Sequence, residues 1–295
     1  MILGPVIGLI FSKTDWLDEY KPKIKTFDFD PSSFISEHKI IFSSTRSEDL
    51  EGLIKKLELN LENIKLGNPV PNFELLSLPK DLNKVEPVIR RKEIFFSSIF
   101  PLILRSNMEI LNHRKNLCDA FKSNNKEKIA EIASIYKVNI ETLTDQNIKE
   151  VLLKKVDAIP FSLALAQAAV ESGWGTSRFA LEGNALYGQW VWNEDLGIKP
   201  KLAQNGQAVV RSFENLFDSV KSYMSNLNNH KAYSGMRSKR QRSCIEKELI
   251  EGYELAEWMG SYAETREEYI KILRKIISSN SLDQIDQAIN KNLNQ

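Results

Sequence analysis

The sequence predicts a mainly α fold (α+β in detail) with one small β insertion, and three observations carry that prediction. From Val88 onward, apolar residues such as Ile94, Phe95, Ile99, Leu102, Ile103 and Ile110 recur at three- and four-residue spacings, the period of one helix face. Between Gly188 and Phe213 the character changes to Trp, Val, Gly and Pro, and Val209-Val210 reads as a strand, which suits a small β-hairpin lobe. Near the C-terminus, Thr265 to Glu268 and Ser281 to Gln284 are capping-box patterns that open helices.

The elements follow in order. Residues 1–87 read as an apolar leader and an irregular extension. Six of the ten prolines fall between 12 and 87, and that density favours irregular chain with extended pieces at 39–42 and 73–78 and one helix over 47–61. This part either packs on a domain or links it to a membrane. Residues 88–295 form the domain proper. Its first helix meets Pro101, which marks a kink or break. Helices follow over 126–136, 148–156 and 161–171, then a small one over 177–181 closed by Gly183. After the β lobe, helices resume over 219–227, 246–259 and 265–278, and a last one starts at 281.

A chain of 295 residues with 42% hydrophobic and 27% charged residues is an ordinary globular protein. Its net charge of +1 speaks against nucleic acid as a partner, since such proteins carry a basic excess. Cys118 and Cys244 lie far apart and match no redox or metal spacing; they are two free thiols, or a pair in an oxidising compartment. His38, His113 and His230 are scattered, so no metal or other cofactor is expected. The first eleven residues have the length of a signal-peptide core, without the basic residues that should precede one. They read as a degenerate signal, the remnant of one, or a buried strand.

The segment 159–190 holds the chemistry. From Phe161 to Val170 only Ser162 and Gln167 are polar, so this helix is apolar on every side and belongs in the interior. Pro160 suits its start and Gly173 its left-handed end. Yet it finishes in Glu171, one turn after Gln167 on the same face. A helix C-terminus disfavours negative charge, and desolvation pushes the same way, so both raise the carboxyl pKa. A carboxyl that keeps its proton near neutral pH is a general acid. The competing reading is a Glu in solvent, or paired with Arg178.

The motifs extend the argument. AQAAVESGWGTSRFA followed by GNALYGQW resembles the lysozyme-like glycosidases, and more closely the Bax-like branch of the family 73 glucosaminidases. RRKEIFFSSIFPLI, KKVDAIPFSLALAQAA, RSFENLFDSVKSYMSNLNNHKAY and SYAETREEYI look like that branch in the same order, so the resemblance covers roughly residues 88–282. It implies a lysozyme-like helical domain that hydrolyses the β-1,4 bond after N-acetylglucosamine in peptidoglycan. Glu171 matches the catalytic acid, which protonates the leaving glycosidic oxygen as an oxocarbenium-like transition state forms. Tyr262 matches the tyrosine near the reacting sugar. Asn184, Tyr187, Gly188 and Gln189 match a stretch on the cleft wall.

The residues alone allow these roles with alternatives beside them. Trp174, Tyr187, Trp190 and Trp192 offer flat faces for sugar rings or for core packing. Gln167, Asn184 and Gln189 can bond sugar hydroxyls and acetamido groups, or serve the backbone. A second carboxylate is harder to find. Glu194 on the β lobe is the candidate, although its setting, Asn193 to Gly197, also reads as a solvated turn. Without it, the substrate's acetamido group could attack. Arg237, Lys239, Arg240 and Arg242 form a basic cluster, read first as a solvated loop and second as an attraction for acidic stem peptides. The rival functions are a lytic transglycosylase and a catalytically idle glycan-binding or scaffold protein. Peptidoglycan strands as partner place the protein in the cell envelope, periplasmic or membrane-anchored, with the leader as the means of membrane association.

Overall fold

The computed structural model describes residues 35–201, 208–246, 250–263 and 265–293. The leader read at residues 1–11 lies outside them. Strand β1 (Ile35–Phe42) is followed by helices α1 (Ser47–Lys56) and α2 (Leu61–Lys65), and then by β2 (Val70–Leu75), which pairs parallel with β1. The predicted extended pieces fall on these strands. Pro71 is tolerated inside β2 because both members of a two-stranded sheet are edges. Side chains complete the helix ends here. Asp81 accepts the Ser47 N–H and Oγ–H, each at 2.7 Å, and satisfies the start of α1. The side chain of Asn60 caps α2 by accepting the Asn63 N–H at 2.9 Å. Residues 35–87 share their core with the rest of the chain: Leu50, Phe73, Leu75, Leu78 and Leu82 belong to the same buried cluster as Phe95, Ile99 and Leu163.

Helix α3 (Val88–Lys122) runs through Pro101 without a break. Residues 94–104 are buried almost throughout, so packing on all sides maintains the helix where the proline removes one backbone bond. It is the one described helix long and apolar enough to cross a membrane, and most of that stretch is buried inside the protein. Its far end forms a smaller core with α4 (Lys126–Ile135) and α5 (Asp145–Lys155), built on Leu117, Ile132, Tyr136 and Leu152. Cys118 packs against that core as a free thiol. The side chain of Cys244 lies outside the described residues.

Helix α6 (Phe161–Ser172) is the axis of the larger core, packed against α3 and the C-terminal helices. A short α7 (Arg178–Gly183) follows, with Ser177 capping its start. It ends two residues later than the sequence suggests, and Asn184 takes the left-handed position expected at Gly183. The β lobe is a three-stranded antiparallel sheet, β3 (Trp190–Val191), β4 (Gly197–Ile198) and β5 (Val209–Arg211), with β5 in the middle.

Helix α8 (Leu216–Asn229) comes next, and then α9 (Ser234–Glu246). The predicted helix over 246–259 is replaced by α9 before it, a single turn α10 (Gly252–Leu255) and a 3₁₀ segment (Ala256–Tyr262). Nor do Arg237 and Arg240 lie on a solvated loop. Both are buried on α9, Arg240 to 1% exposure. Arg240 donates to the carbonyls of Lys154, Asp157 and Ala158 and to the Asn228 side chain. With Arg114, which bonds the Leu153 and Val156 carbonyls, it satisfies the end of α5, where a helix leaves its last carbonyls unpaired. Helices α11 (Arg266–Ser279) and α12 (Asp283–Leu293) complete the chain. Neither capping box forms as read. Thr265 precedes α11 without a side-chain cap bond, and Ser281 sits at φ +51°, outside the extended backbone of an N-cap. The protein is therefore mainly α with small strands, as its sequence predicts.

Candidate active site

Helix α6 delivers its only acid to the edge of the core. Both of its ends are fixed. At the N-terminal end, Asp286 of α12, fully buried, accepts the Ser162 N–H at 3.2 Å and a short bond from Ser162 Oγ, and also the Gly252 N–H at 3.0 Å. A carboxyl at a helix N-terminus meets positive partial charge. At the C-terminal end, Gly173, Trp174 and Gly175 take three successive left-handed conformations, with φ of +57°, +59° and +76°. Gly173 N–H and Trp174 N–H return to the carbonyls of Val170 and Ala169, at 3.2 and 2.8 Å, which closes the helix. For a bulky residue such as Trp174 that backbone is costly. It is over-determined by packing: the indole meets Phe95 and Phe96 edge-on, and the Lys92 ammonium lies 4.3 Å above it.

Glu171 is largely withdrawn from water, and desolvation raises its pKa. The hydroxyl of Tyr269 works the other way, donating to Oε1 at 2.7 Å. The alternative of a Glu171–Arg178 pair is overturned, since Arg178 pairs with Glu182 and donates to the Lys199 carbonyl. The other carboxyl oxygen faces Gly188. A Cβ on that glycine would stand 3.3 Å from Oε2, and its φ of +59° suits glycine. Tyr262 fastens this backbone in place, donating to the Tyr187 carbonyl at 2.7 Å. Its ring lies parallel to that of Tyr269, with centroids 5.9 Å apart. Tyr187 in turn stacks on Tyr223, with centroids 3.8 Å apart. The acid is thus walled by tyrosines, all of whose hydroxyls are pushed up by burial; that of Tyr233 rises to about 12.

The other sequence-predicted residues divide into two groups. Gln167 is 0% exposed and is committed to tyrosines, accepting from Tyr223 Oη at 2.7 Å and donating to Tyr269 Oη at 3.0 Å. This corrects its reading as a sugar ligand: it lies behind Glu171, inside the core. The Asn184 amide is likewise spent on the backbone, donating to the carbonyls of Phe213 and Glu214; it ties α7 to the β lobe. Tyr187 is buried, so its ring packs rather than faces solvent. Trp190 and Trp192, by contrast, are 61% and 82% exposed on the lobe. Gln189 lies between the two groups, with an Oε1 that is buried and unpartnered. Glu194 sits on a 3₁₀ turn of the lobe, ion-paired with Lys199.

Comparison with known proteins matches part of this chain to a family. Residues 146–282 fit the glucosaminidase family model, described as mannosyl-glycoprotein endo-beta-N-acetylglucosaminidase. These residues are a glucosaminidase domain. The chain is also 32% identical over 169 residues to Protein bax of Escherichia coli (strain K12), an alignment that covers 56% of this chain and 60% of the relative. No solved structure matches.

The glucosaminidase domain contains Glu171 and every tyrosine around it, whereas Asp286, which anchors the same helix, lies just beyond its end. Reading the sequence missed Tyr269 and Tyr223 as parts of the site. A signal for Tyr269 existed in the block SYAETREEYI, where it follows Tyr262 by seven residues. No local pattern could reveal its contact with Glu171, 98 positions away.

Proposed function

We propose that this protein is a peptidoglycan hydrolase that cleaves the β-1,4 bond after N-acetylglucosamine, with Glu171 as the general acid. The observation that carries this reading is the state of that carboxyl: desolvated at the end of a buried helix, with Oε1 accepting from Tyr269 and Oε2 beside Gly188. An acid whose pKa is raised in this way holds its proton where an exposed Glu has lost it. It can pass that proton to the glycosidic oxygen as the bond breaks. The family of residues 146–282 supports the glycosidase class. Trp190 and Trp192 supply exposed aromatic faces for sugar rings beside the acid's loop.

The ion pair of Glu194 with Lys199 favours a second reading for the other half of the mechanism. A carboxylate held by a lysine is a poorer base or nucleophile, so a single-acid route through the substrate's acetamido group, or a lytic transglycosylase, competes with a two-carboxylate hydrolase. The products separate hydrolysis by either route from transglycosylation. Purified peptidoglycan is digested and the fragments examined by mass spectrometry. Fragments ending in reducing N-acetylglucosamine are expected, and anhydro-muramic ends would replace hydrolysis by transglycosylation. Action on peptidoglycan also requires a place in the cell envelope, reached through the N-terminal leader. Cell fractionation tests this, and recovery in the cytosol would contradict it.

A further inference from the structure

Behind Glu171 runs a directional chain of hydrogen bonds that the acid itself does not need in order to be buried. Tyr223 Oη donates to Gln167 Oε1 at 2.7 Å, Gln167 Nε2 donates to Tyr269 Oη at 3.0 Å, and Tyr269 Oη donates to Glu171 Oε1 at 2.7 Å. Each member is buried or nearly so, and they come from three elements: α8, α6 and α11.

The order of donors settles where the protons are. Gln167 has one acceptor and one donor end, and Tyr223 occupies the acceptor. Its amide N–H therefore points at the Tyr269 oxygen, and the Tyr269 hydrogen is left for Glu171. With Oε1 acting as an acceptor, the carboxyl's own proton belongs on Oε2, the oxygen beside Gly188. The geometry points to Tyr269, held by Gln167 and Tyr223, as a positioning residue that fixes which oxygen of Glu171 carries the transferable proton. This rests on Glu171 being the proton donor and adds the groups that orient it. The other neighbours do not perform this task. Tyr262 gives its hydrogen to the Tyr187 carbonyl. Tyr233 packs its ring against Tyr262 and shares a hydrogen bond with Asn226, and Gly188 brings only backbone. Burial raises the proton affinity of Glu171, and the bond from the Tyr269 hydroxyl lowers it.

The test removes the hydroxyl and keeps the ring. In Tyr269→Phe the stack on Tyr262 is retained, while the bond that stabilises the Glu171 carboxylate is lost. A general acid works while protonated, so activity falls as pH rises through its pKa. Losing a donor to the carboxylate raises that pKa. The basic limb of the kcat/KM profile on peptidoglycan fragments is expected to move up by about one pH unit, with lower kcat and unchanged KM. Gln167→Met, which frees the Tyr269 hydroxyl to turn, should move it in the same direction by less. A titration of ¹³C-labelled glutamate gives the Glu171 pKa directly, its signal identified by absence in Glu171→Gln. An unchanged Glu171 pKa and pH profile in Tyr269→Phe would overturn the positioning role. Full hydrolysis by Glu171→Gln would instead overturn the acid assignment, and the titration would still report on the bond.

Discussion

The absent side chain of Gly188 is as informative as the carboxyl it faces. A methyl group there would lie 3.3 Å from Oε2 of Glu171, on a backbone at φ +59° that L-residues avoid. Gly188→Ala is therefore expected to cost about 1–2 kcal/mol of stability through backbone strain. Its effect on hydrolysis should be larger, about 10²-fold in kcat/KM, because displacing reacting groups by about an ångström has that consequence. Denaturant unfolding and steady-state kinetics on the same preparation measure both, and equal, small effects would show that Oε2 is not the working oxygen. At this scale the sequence was legible where chemistry is local: a lone acid closing an apolar helix, and a glycine after it in a recognisable motif. Gln167 was legible as sharing the Glu171 face, but not as turned inward, because its partners Tyr223 and Tyr269 are 56 and 102 positions away.

Helix α6 is held by opposite devices at its two ends. At the N-terminal end, burial pushes the Asp286 carboxyl up to about 6, against the lowering effect of its bonds from Ser162 and Gly252. A raised carboxyl pKa contributes stability that is complete below the unfolded value, 3.8 for this group, and is lost as pH rises through about 6. The unfolding free energy should thus decline over that window relative to Asp286→Asn, whose amide does not titrate. Parallel pH–stability curves for the two proteins would contradict it. The opposite trend from Glu51, held at about 2 chiefly by its hydrogen bonds from Arg90, runs between that value and 4.5 and is common to both proteins, so it cancels in the comparison. At the C-terminal end, a Cβ on Gly175 would come within 2.8 Å of Leu78 and 2.9 Å of Phe95. Gly175→Ala is expected to lose about 2–4 kcal/mol from strain and overpacking together, measured by thermal or denaturant unfolding. Strong periodicity made α3 readable, and an unbroken apolar run between Pro160 and Gly173 made α6 readable. The single turn α10 and the 3₁₀ segment were not, since Ala256 to Tyr262 carries apolar residues that also fit an ordinary helix. Arg237 and Arg240 resembled a solvated run because most of their acceptors are backbone carbonyls, which leave no trace in a side-chain pattern.

Across the whole molecule, the N-terminal layer and the glucosaminidase domain are one packed body. Leu78 and Leu82 reach the turn that follows Glu171, the Leu216 N–H bonds the Leu76 carbonyl at 3.0 Å, and Glu74 pairs with Arg105 of α3. Removing residues 1–87 would strip Leu50, Phe73, Leu75, Leu78 and Leu82 from the core. At roughly 1.5–3 kcal/mol each, that loss rivals the total stability of a typical domain, about 5–15 kcal/mol. A chain beginning at residue 88 is expected to lose cooperative unfolding and become sensitive to limited proteolysis. A protease-resistant 88–295 fragment would refute this. The proline-rich composition hid the layer because β1 and β2 pair across two intervening helices, which no short window reveals. The central claim, that Glu171 donates the proton, is tested most directly by comparing wild type and Glu171→Gln on purified peptidoglycan at the same pH. The account predicts that release of soluble glycan fragments falls by about 10²–10⁴-fold while binding to the wall is retained. Fragment release by Glu171→Gln at the wild-type rate would contradict it.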